Sequence, residues 1–563
     1  MIQLGIAAFF HDSSACIVKD GKVLAAAEEE RFTGIKHDLA FPSNAINWVL
    51  KDTNLKISDI DEVCWYEKPE LKKERILKSF KKHFLRTFFL RKKFFKDFQA
   101  NNPILLLENL GYYGKIKFID HHTSHSAFAF LTSSFDKAAV LTIDGVGEFE
   151  TVTISLGRKQ KNQKVLLPLY SEEFPSSLGL LYSTFTAFLG FKPNEGEYKV
   201  MGLAPYGDEN KYLPLLRELF IDNSFKINQK YFTWEYSDKV MFNSKLTKLL
   251  GLQPRLPDEK INQSHKDLAA SIQKIYEEKF LELVKKAKEL TNINNLVLGG
   301  GCAYNGVANS KAYKYFKNIH IPFAPSDAGS SIGACLYSYY NNFYKIPLNN
   351  NPFLGPSYND NQIRRVLKRN SDKIRWFRLS DTKLIEKTSD LLINEKIVAW
   401  FQGKMEFGAR ALGNRSILAL PKNADMREKL NLVIKKRESF RPFAPSVTAE
   451  TAKKWFYIKE NIPFMNQVVK AKTFGRTTKY FPFPASTHID GTSRVQTVTL
   501  DFNFRYYSLL KEVGRKTGSE VLLNTSFNLK DQTITLSPAQ AVDRFLNSEI
   551  DFLVINNFLI QKL

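Results

Sequence analysis

Residues 138–156 read AAVLTIDGVGEFETVTISL: an apolar run from Ala138 to Ile143, the turn Asp144-Gly145-Val146-Gly147-Glu148, and an alternating segment from Thr151 to Leu156. An unbroken aliphatic run bounded by a glycine turn is the pattern of a buried strand, and alternation after it is that of a half-exposed one. The same order stands at the N-terminus, with Gln3 to Phe9, the polar turn His11 to Ser14, Ala15 to Lys19, the Asp20-Gly21 hairpin signal and Lys22 to Ala27. Two strand–turn–strand units separated by helical stretches predict a duplicated α/β domain with a nucleotide between its halves. A third strand, from Leu296, runs into Gly299-Gly300-Gly301 and then a helical stretch. Backbone without side chains at such a junction lets a phosphate or purine approach amide groups.

The chain has 563 residues, of which 44% are hydrophobic and 25% charged. That mixture excludes wholesale disorder, collagen-like repeats and a membrane bundle, and the length predicts more than one core. Cys16, Cys64, Cys302 and Cys335 form no C-x-x-C pair, which excludes a zinc ribbon, a thioredoxin-like motif and a disulfide scaffold and points to a reducing cytoplasm. Met1 to Phe10 lacks a basic n-region and a cleavage site, so it reads as a strand rather than a signal peptide. No stretch approaches the roughly 18 apolar residues of a membrane-spanning helix. The Asn/Pro-rich segment from Tyr339 to Pro352 marks a boundary, giving domains 1–345 and 353–563. In the second, Asp381 to Asn394 and Met426 to Ile434 read as helices, and Ile397 to Phe401, Ser519 to Leu523 and Phe552 to Ile555 as strands. Ser537-Pro538-Ala539 reads as a capped helix start.

Lys and Arg outnumber Asp and Glu by 81 to 58, a net charge of +23. Such a balance fits nucleic acid, an anionic membrane or phosphorylated substrates. No zinc-finger spacing, RNP pattern or GXXG loop supports nucleic acid. The densest block, Lys68 to Lys96 within an insertion at about 67–100, interleaves cations with Leu71, Leu77, Phe80, Phe84, Leu85, Phe88, Phe94 and Phe95. It predicts one or two basic amphipathic helices that either pack on their own domain or lie on anionic lipid or a glycolipid acceptor.

Three of nine histidines fall in Asp120-His121-His122-Thr123-Ser124-His125. On a helix, His121 and His125 at i and i+4 share one face and can share one ion. Asp327, in the small-residue loop Pro325 to Ser331, is the candidate third ligand. Two imidazoles and a carboxylate suit iron, manganese or zinc.

Taken in order, His11-Asp12-Ser13-Ser14-Ala15, His121-His122-x-x-His125, Asp144-Gly-x-Gly-Glu148, Glu195 to Gly207, Gly299-Gly300-Gly301 and Pro325-Ser326-Asp327 resemble the NodU/CmcH family of O-carbamoyltransferases. The series continues through Gly408-Ala409-Arg410-Ala411-Leu412-Gly413-Asn414-Arg415-Ser416, Lys435 to Ser446, Thr492-Ser493-Arg494 and Leu523 to Asn528. This resemblance implies an N-terminal duplicated actin/Hsp70-like (ribonuclease H-like) ATPase domain, similar to the metal-dependent subunit of the tRNA threonylcarbamoyl pathway. It also implies a C-terminal YrdC-like α/β domain.

The chemistry it implies starts from carbamoyl phosphate and ATP with Mg2+, passes through carbamoyl adenylate, and ends on a hydroxyl of a sugar, glycan precursor or natural product. It implies Arg410, Lys435, Arg441 and Arg494 at the carbamoyl phosphate, with Asn524 and Ser526 beside its carbamoyl end. The family often carries Cys where this chain has Ser526, which keeps hydrogen bonding and bears against a thiol-dependent role. His121, His125 and Asp327 match metal positions, with Fe2+ ahead of Mn2+ or Zn2+. Asp144, Gly145, Gly147, Glu148 and Lys199 match phosphate contacts, and Gly300, Gly301 and Asn305 the nucleoside region. His11 matches the general base, as a neutral imidazole taking the acceptor's proton, and His122 has either an outer-shell or a ligand role. Peripheral contact with the inner face of the membrane through 68–96 and a homodimer are further expected associations. A tRNA threonylcarbamoyl transferase and a non-catalytic basic surface-binding protein are the competing readings.

Overall fold

The computed structural model describes residues 1–161, 163–237, 239–475 and 478–563, the side chains of Phe89 and Asn223 excepted. They form two compact units, Met1–Glu29 with His37–Asn350, and Glu30–Lys36 with Asn351–Leu563.

The first unit carries two five-stranded sheets. One is built from β1 (Ile2–Ala7), β2 (Ser14–Lys19), β3 (Lys22–Glu28), β4 (Glu62–Trp65) and β5 (Lys115–Phe118), the other from β6 (Lys137–Ile143), β7 (Glu150–Arg158), β8 (Leu166–Glu173), β9 (Asn295–Gly299) and β10 (Asn318–His320). Their spatial orders are β3-β2-β1-β4-β5 and β8-β7-β6-β9-β10. In both, the first three strands in sequence pair antiparallel and the last two extend the sheet in parallel from the first. The repeat seen in the two strand–turn–strand stretches is therefore a repeat of whole sheets. β6 is buried from Ala138 onward, as an unbroken apolar run requires, whereas β7, expected to alternate, has the adjacent pairs Thr151/Val152 and Ile154/Ser155 buried, so both of its faces are partly covered.

Helices His121–Leu131 and Asp327–Phe343 pack against each other at a glycine. A Cβ on Gly333 would stand 2.0 Å from the Ser124 carbonyl oxygen and 2.9 Å from Phe128 Cβ. Gly333→Ala should therefore force the helices apart, costing about 3 kcal/mol, the upper end of ordinary overpacking. Thermal denaturation would register this as a fall of roughly 5–10 °C. A melting temperature unchanged from wild type would contradict the close approach.

The second unit is a mixed eight-stranded sheet. Its elements are β11 (Ile374–Arg378), β12 (Val398–Phe401), β13 (Arg415–Ala419), β14 (Ala444–Thr448), the ribbon strands β15 (Val469–Lys470) and β16 (Thr492–Ser493), β17 (Gln496–Val498), β18 (Val521–Ser526), β19 (Phe552–Ile555) and β20 (Phe558–Lys562). The order is β11-β20-β19-β12-β13-β18-β14-β17, with β15 and β16 paired separately. Ile417, Leu523, Leu553 and Phe545 belong to the core on one face, and Leu418, Leu522, Val554 and Tyr506 to that on the other. Phe552–Ile555, the last strand expected from the sequence, is followed by a further one. Asn556, at φ +46°, turns the chain back into β20, a role asparagine fills because it tolerates the left-handed region. The helix expected over Met426 to Ile434 is an α turn, Asp425–Glu428, continued by a π-helical stretch, Lys429–Ile434.

Lys68 to Lys96 forms two helices, Pro69–Lys82 and Phe88–Ala100. Among the described residues no helix is long and apolar enough to cross a membrane.

Candidate functional site

In the first unit, helix His121–Leu131 places His121 and His125 one turn apart with both Nε2 atoms facing one point, 3.1 Å from each other. Asp144, at the end of β6, brings Oδ2 to 3.0 Å from His121 Nε2 and 3.6 Å from His125 Nε2. Asp327, first residue of its helix, brings Oδ1 to 3.2 Å from His125 Nε2 and 3.8 Å from His121 Nε2. All four side chains are buried, and one ligand atom from each lies within 4.8 Å of the others. Metal–ligand bonds of about 2.0–2.2 Å to a common centre give edges of about 2.8–3.6 Å, and of these separations only His121–Asp327, at 3.8 Å, exceeds that range, so this quartet is close in size to a coordination shell. Asp327 Oδ2 accepts no hydrogen bond among the described residues, and Oδ1 faces only the two imidazoles. A fully buried carboxylate so poorly supplied with donors is costly unless a cation matches it, and two imidazoles with two carboxylates fit a divalent ion.

The sequence reading assigned Asp144 to a phosphate-facing turn; here its Oδ2 joins the histidines while Oδ1 accepts the Gly301 N–H at 3.1 Å. Asp144 thereby ties the β6 turn to the glycine triplet after β9. Gly300 sits at φ +84°, and a Cβ there would lie 2.2 Å from the Ile143 carbonyl oxygen, which requires glycine. Glu148 accepts the backbone N–H groups of His121, at 3.0 Å, and Lys68, at 2.7 Å. Its carboxylate thus serves the N-terminus of the histidine helix, where anions are favoured. In the same turn the Gly147 N–H donates to the Glu150 carbonyl oxygen at 2.8 Å, and Ser177 Oγ to that of Gly145 at 2.6 Å. Asn305 exchanges amide hydrogen bonds with Gln273, both at 3.1 Å, and caps the Gly306–Lys311 helix. Lys199 lies over the Phe191 ring, 5.3 Å from its centroid.

Two groups around the quartet escaped the sequence reading. Ser330 Oγ lies 3.1 Å from His125 Nδ1, fixing the ring with Nε2 inward. The Tyr66 ring stands edge-on to His121, 5.3 Å between centroids. His122 is outside the quartet, with Nδ1 3.2 Å from Thr153 Oγ1, and burial holds its pKa well below the ordinary value.

His11 Nδ1 lies 3.3 Å from Asp12 Oδ2, which leaves Nε2 as its second site. Burial opposes its charge, but Asp327, Asp12 and Asp144 outweigh burial and push its pKa up to about 10. The neutral imidazole expected of His11 is thus disfavoured unless other positive charge balances those carboxylates. With an unfolded value of about 6.5, His11 stabilises the metal-free protein fully below pH 6.5, and the contribution disappears as pH rises through about 10. Thermal denaturation of metal-free wild type should show stability falling from pH 7 to 10 relative to His11→Asn. Parallel pH profiles would contradict the assignment.

In the second unit, the π-helical stretch ends at Lys435, which is only 4% exposed. Its ammonium donates to the carbonyl oxygens of Ser526 and Asn528 and to Asn528 Oδ1, the latter two at 2.9 Å. Burial first, then Arg437, Arg441, Lys36 and Arg544, hold its pKa well below the usual lysine range. Lys36 belongs to Glu30–Lys36, the N-terminal segment of this unit, as does Arg31, which donates to the Gly408 carbonyl oxygen at 2.9 Å. Asn524 and Ser526 stand two apart on β18 and so share a face. Asn524 Nδ2 donates to Gln496 Oε1 at 2.9 Å and to the carbonyl oxygen of Ala411, the neighbour of Arg410, at 3.3 Å. Its buried Oδ1 has no partner among the described residues. Ser526 Oγ donates to Asn528 Oδ1 at 2.7 Å. Arg441 pairs with Glu438 at 3.5 Å. Arg494 acts on His488, which burial, together with Arg494 and Arg427, lowers to about 4 despite Asp490.

The loop carrying Arg410 is held by Glu406, which stands outside the sequence motif, and by Arg415, which stands within it. Glu406 Oε1 accepts the backbone N–H groups of Leu412, Asn414 and Arg415 at 2.7, 2.7 and 3.2 Å. Arg415, fully buried, donates to carbonyl oxygens including those of Pro356 and Gly403 and stacks on Phe401, 3.6 Å from its centroid. A carboxylate six to nine positions before the amides it binds is a local signal available in the sequence.

Residues 2–336 match the family described as Carbamoyltransferase N-terminus, and residues 389–562 match Carbamoyltransferase C-terminus. An uncharacterized Synechocystis protein is 40% identical over 99% of this chain and 96% of its own length. The nodulation protein NolNO of Sinorhizobium fredii is 34% identical over 98% of this chain and 79% of its own. The 3'-hydroxymethylcephem-O-carbamoyltransferase of Amycolatopsis lactamdurans is 28% identical over 75% of this chain and 76% of its own. With the N-terminal match covering more than half of its length and two relatives above 30% identity along nearly all of it, the chain belongs to the carbamoyltransferase family.

Proposed function

We propose that this carbamoyltransferase draws its carbamoyl group from carbamoyl phosphate, activates it with ATP, and transfers it to a hydroxyl group of a sugar, glycan precursor or natural product. The observation that carries the reading is Lys435: a buried ammonium opposed by Arg437, Arg441, Lys36 and Arg544. Glu438 pairs with Arg441, but cations held this close around a buried lysine are stabilised further by a dianion, and guanidinium forks hold phosphate oxygens bidentately. The unpartnered Asn524 Oδ1 suits the donor –NH2 of a carbamoyl group, which inorganic phosphate lacks.

In this reading the second unit is YrdC-like, and water splits carbamoyl phosphate there into carbamate and phosphate beside Arg410, Lys435, Arg441, Arg494, Asn524 and Ser526. The first unit is an actin/Hsp70-like ATPase, supported by the shared strand order of its two sheets. A carbamate oxygen attacks the α-phosphorus of ATP, pyrophosphate leaves, and carbamoyl adenylate forms. Gly145, Gly147 and Lys199 face phosphate, and Gly300, Gly301 and Asn305 the nucleoside. The acceptor oxygen then attacks the carbamoyl carbon, AMP leaves, and His11 Nε2 receives the hydroxyl proton while Asp12 holds Nδ1. A divalent cation bound by His121, His125, Asp144 and Asp327 would supply positive charge for the ATP phosphates. The same charge would match the carboxylates that otherwise keep His11 protonated.

Incubation with ATP, carbamoyl phosphate and a panel of hydroxyl compounds, followed by mass spectrometry, should show one carbamoyl increment on a sugar or glycan acceptor. Modification confined to tRNA would replace this reading with a tRNA threonylcarbamoyl transferase.

A further inference from the structure

The hairpin of helices Pro69–Lys82 and Phe88–Ala100 takes no part in either site. Its inner faces meet through Phe80 and Phe94, 5.5 Å between centroids, and through Lys73 over the Phe98 ring, 4.7 Å from its centroid. Thr87 closes the turn by donating to the His83 carbonyl oxygen at 3.0 Å. The first helix is tied down by Lys72 to Glu67 at 3.0 Å, by Lys82 to Glu235 at 2.8 Å and by Arg75 over Phe174 at 5.2 Å. This leaves large apolar side chains at the tip and on the outer face. Leu85 is 89% exposed, Phe88 61%, Phe84 55% and Phe95 45%. Phe88 and Phe95 are seven residues apart, on one helical face, and Lys92 and Lys96 fall on that face with them. Lys81, Lys92 and Lys96 make no ion pair among the described residues. From Lys68 to Lys96 the chain carries twelve Lys and Arg against two Glu.

We infer that this hairpin docks the protein on an anionic lipid bilayer, with Phe84, Leu85 and Phe88 entering the interface and Lys81, Lys92 and Lys96 reaching phosphate headgroups. Apolar depth and negative charge at one surface are what an anionic bilayer offers. Lysine stems lie along apolar surface while their heads stay in water, so interleaving with phenylalanine is the arrangement such a surface selects. Nucleic acid supplies the charge but no apolar volume for Leu85. A second copy would bring two strongly cationic faces together, which like-charge repulsion opposes.

The test is flotation of the full chain with vesicles of phosphatidylcholine alone, or with about a third phosphatidylglycerol. Wild type should bind the anionic vesicles at least tenfold more strongly, and raising salt from about 0.1 M to about 0.5 M should weaken that binding, because surface charges are screened. Lys81→Gln/Lys92→Gln/Lys96→Gln should lose affinity by about fivefold per lysine, and Leu85→Ser/Phe88→Ser by about tenfold or more. Every replaced side chain in the two variants is exposed, so both should keep the wild-type melting temperature and AMP-forming activity. Equal binding to neutral and anionic vesicles, or unchanged binding by Leu85→Ser/Phe88→Ser, would overturn the inference. So would tip-dependent binding of an RNA oligonucleotide, or tip-dependent dimerisation in sedimentation, without vesicle binding.

Discussion

Lys435→Met should lower formation of AMP and pyrophosphate from ATP and carbamoyl phosphate by about 10²–10³-fold, the scale of losing one preorganised donor to a charged substrate. Methionine fills the aliphatic volume of the stem without its charge. The three oxygens that now accept from Nζ lose their donor, at about 1–3 kcal/mol for each group left unsatisfied. Against that, removing an ammonium from among Arg437, Arg441, Lys36 and Arg544 relieves repulsion and desolvation. The two effects oppose, so the variant should remain folded, and circular dichroism would separate a lost site from a lost fold. A folded variant with wild-type kcat/KM for carbamoyl phosphate would contradict the assignment.

The same group predicts the proton balance of binding. Burial and neighbouring cations hold the free lysine's pKa down, and a bound dianion favours the charged form, so binding raises it. Carbamoyl phosphate should therefore take up protons on binding at pH values between the free and bound pKa. Titration calorimetry in buffers of different ionisation enthalpy measures this directly. Uptake that persists unchanged in Lys435→Met would place its source elsewhere.

His125→Ala and Asp327→Asn should each reduce divalent-cation affinity by more than the 10–100-fold expected of a lost outer-shell partner, and Ser330→Ala should fall within that range. In wild type, a cation present at about a thousand times its Kd stabilises the fold by about 4 kcal/mol. That gain should fall to about 1.4 kcal/mol or less in the ligand variants and be recovered, at higher metal concentration, in Ser330→Ala. Metal content by elemental analysis together with melting curves gives both readouts. Stoichiometric metal retained by His125→Ala would contradict the quartet.

Local periodicity exposes three strands in each half of the first unit, β1, β2 and β3 in one and β6, β7 and β9 in the other, whereas the short or part-exposed β4, β5, β8 and β10 carry no such signal. It also exposed the spacing of His121 and His125, a property of any helix. Asp144 was visible as a turn residue but not as the histidines' partner. A turn's composition does not say which way its carboxylate faces, and here direction follows from β6 pairing with β9. Glu148 reads as a further acidic turn residue until the start of the histidine helix comes up against it. The second unit was harder to read. Residues 30–36 belong to it although more than 300 residues separate them from Asn351 in sequence, and nothing local places Arg31 or Lys36 beside the segment that carries Lys435. The hairpin turn at Asn556 into β20 is not part of the sequence reading, which ends its strands at Ile555.

The central claim, ATP-dependent activation of a carbamoyl group taken from carbamoyl phosphate, is tested most directly by one assay. Wild type, Lys435→Met and His125→Ala are incubated with ATP and carbamoyl phosphate, with iron, manganese or zinc supplied, and AMP and pyrophosphate are counted. Equal amounts of the two products, formed by wild type only when both substrates are present and nearly absent with either variant, are the predicted result. No AMP from wild type with any of the three metals, or AMP formed without carbamoyl phosphate, would contradict it.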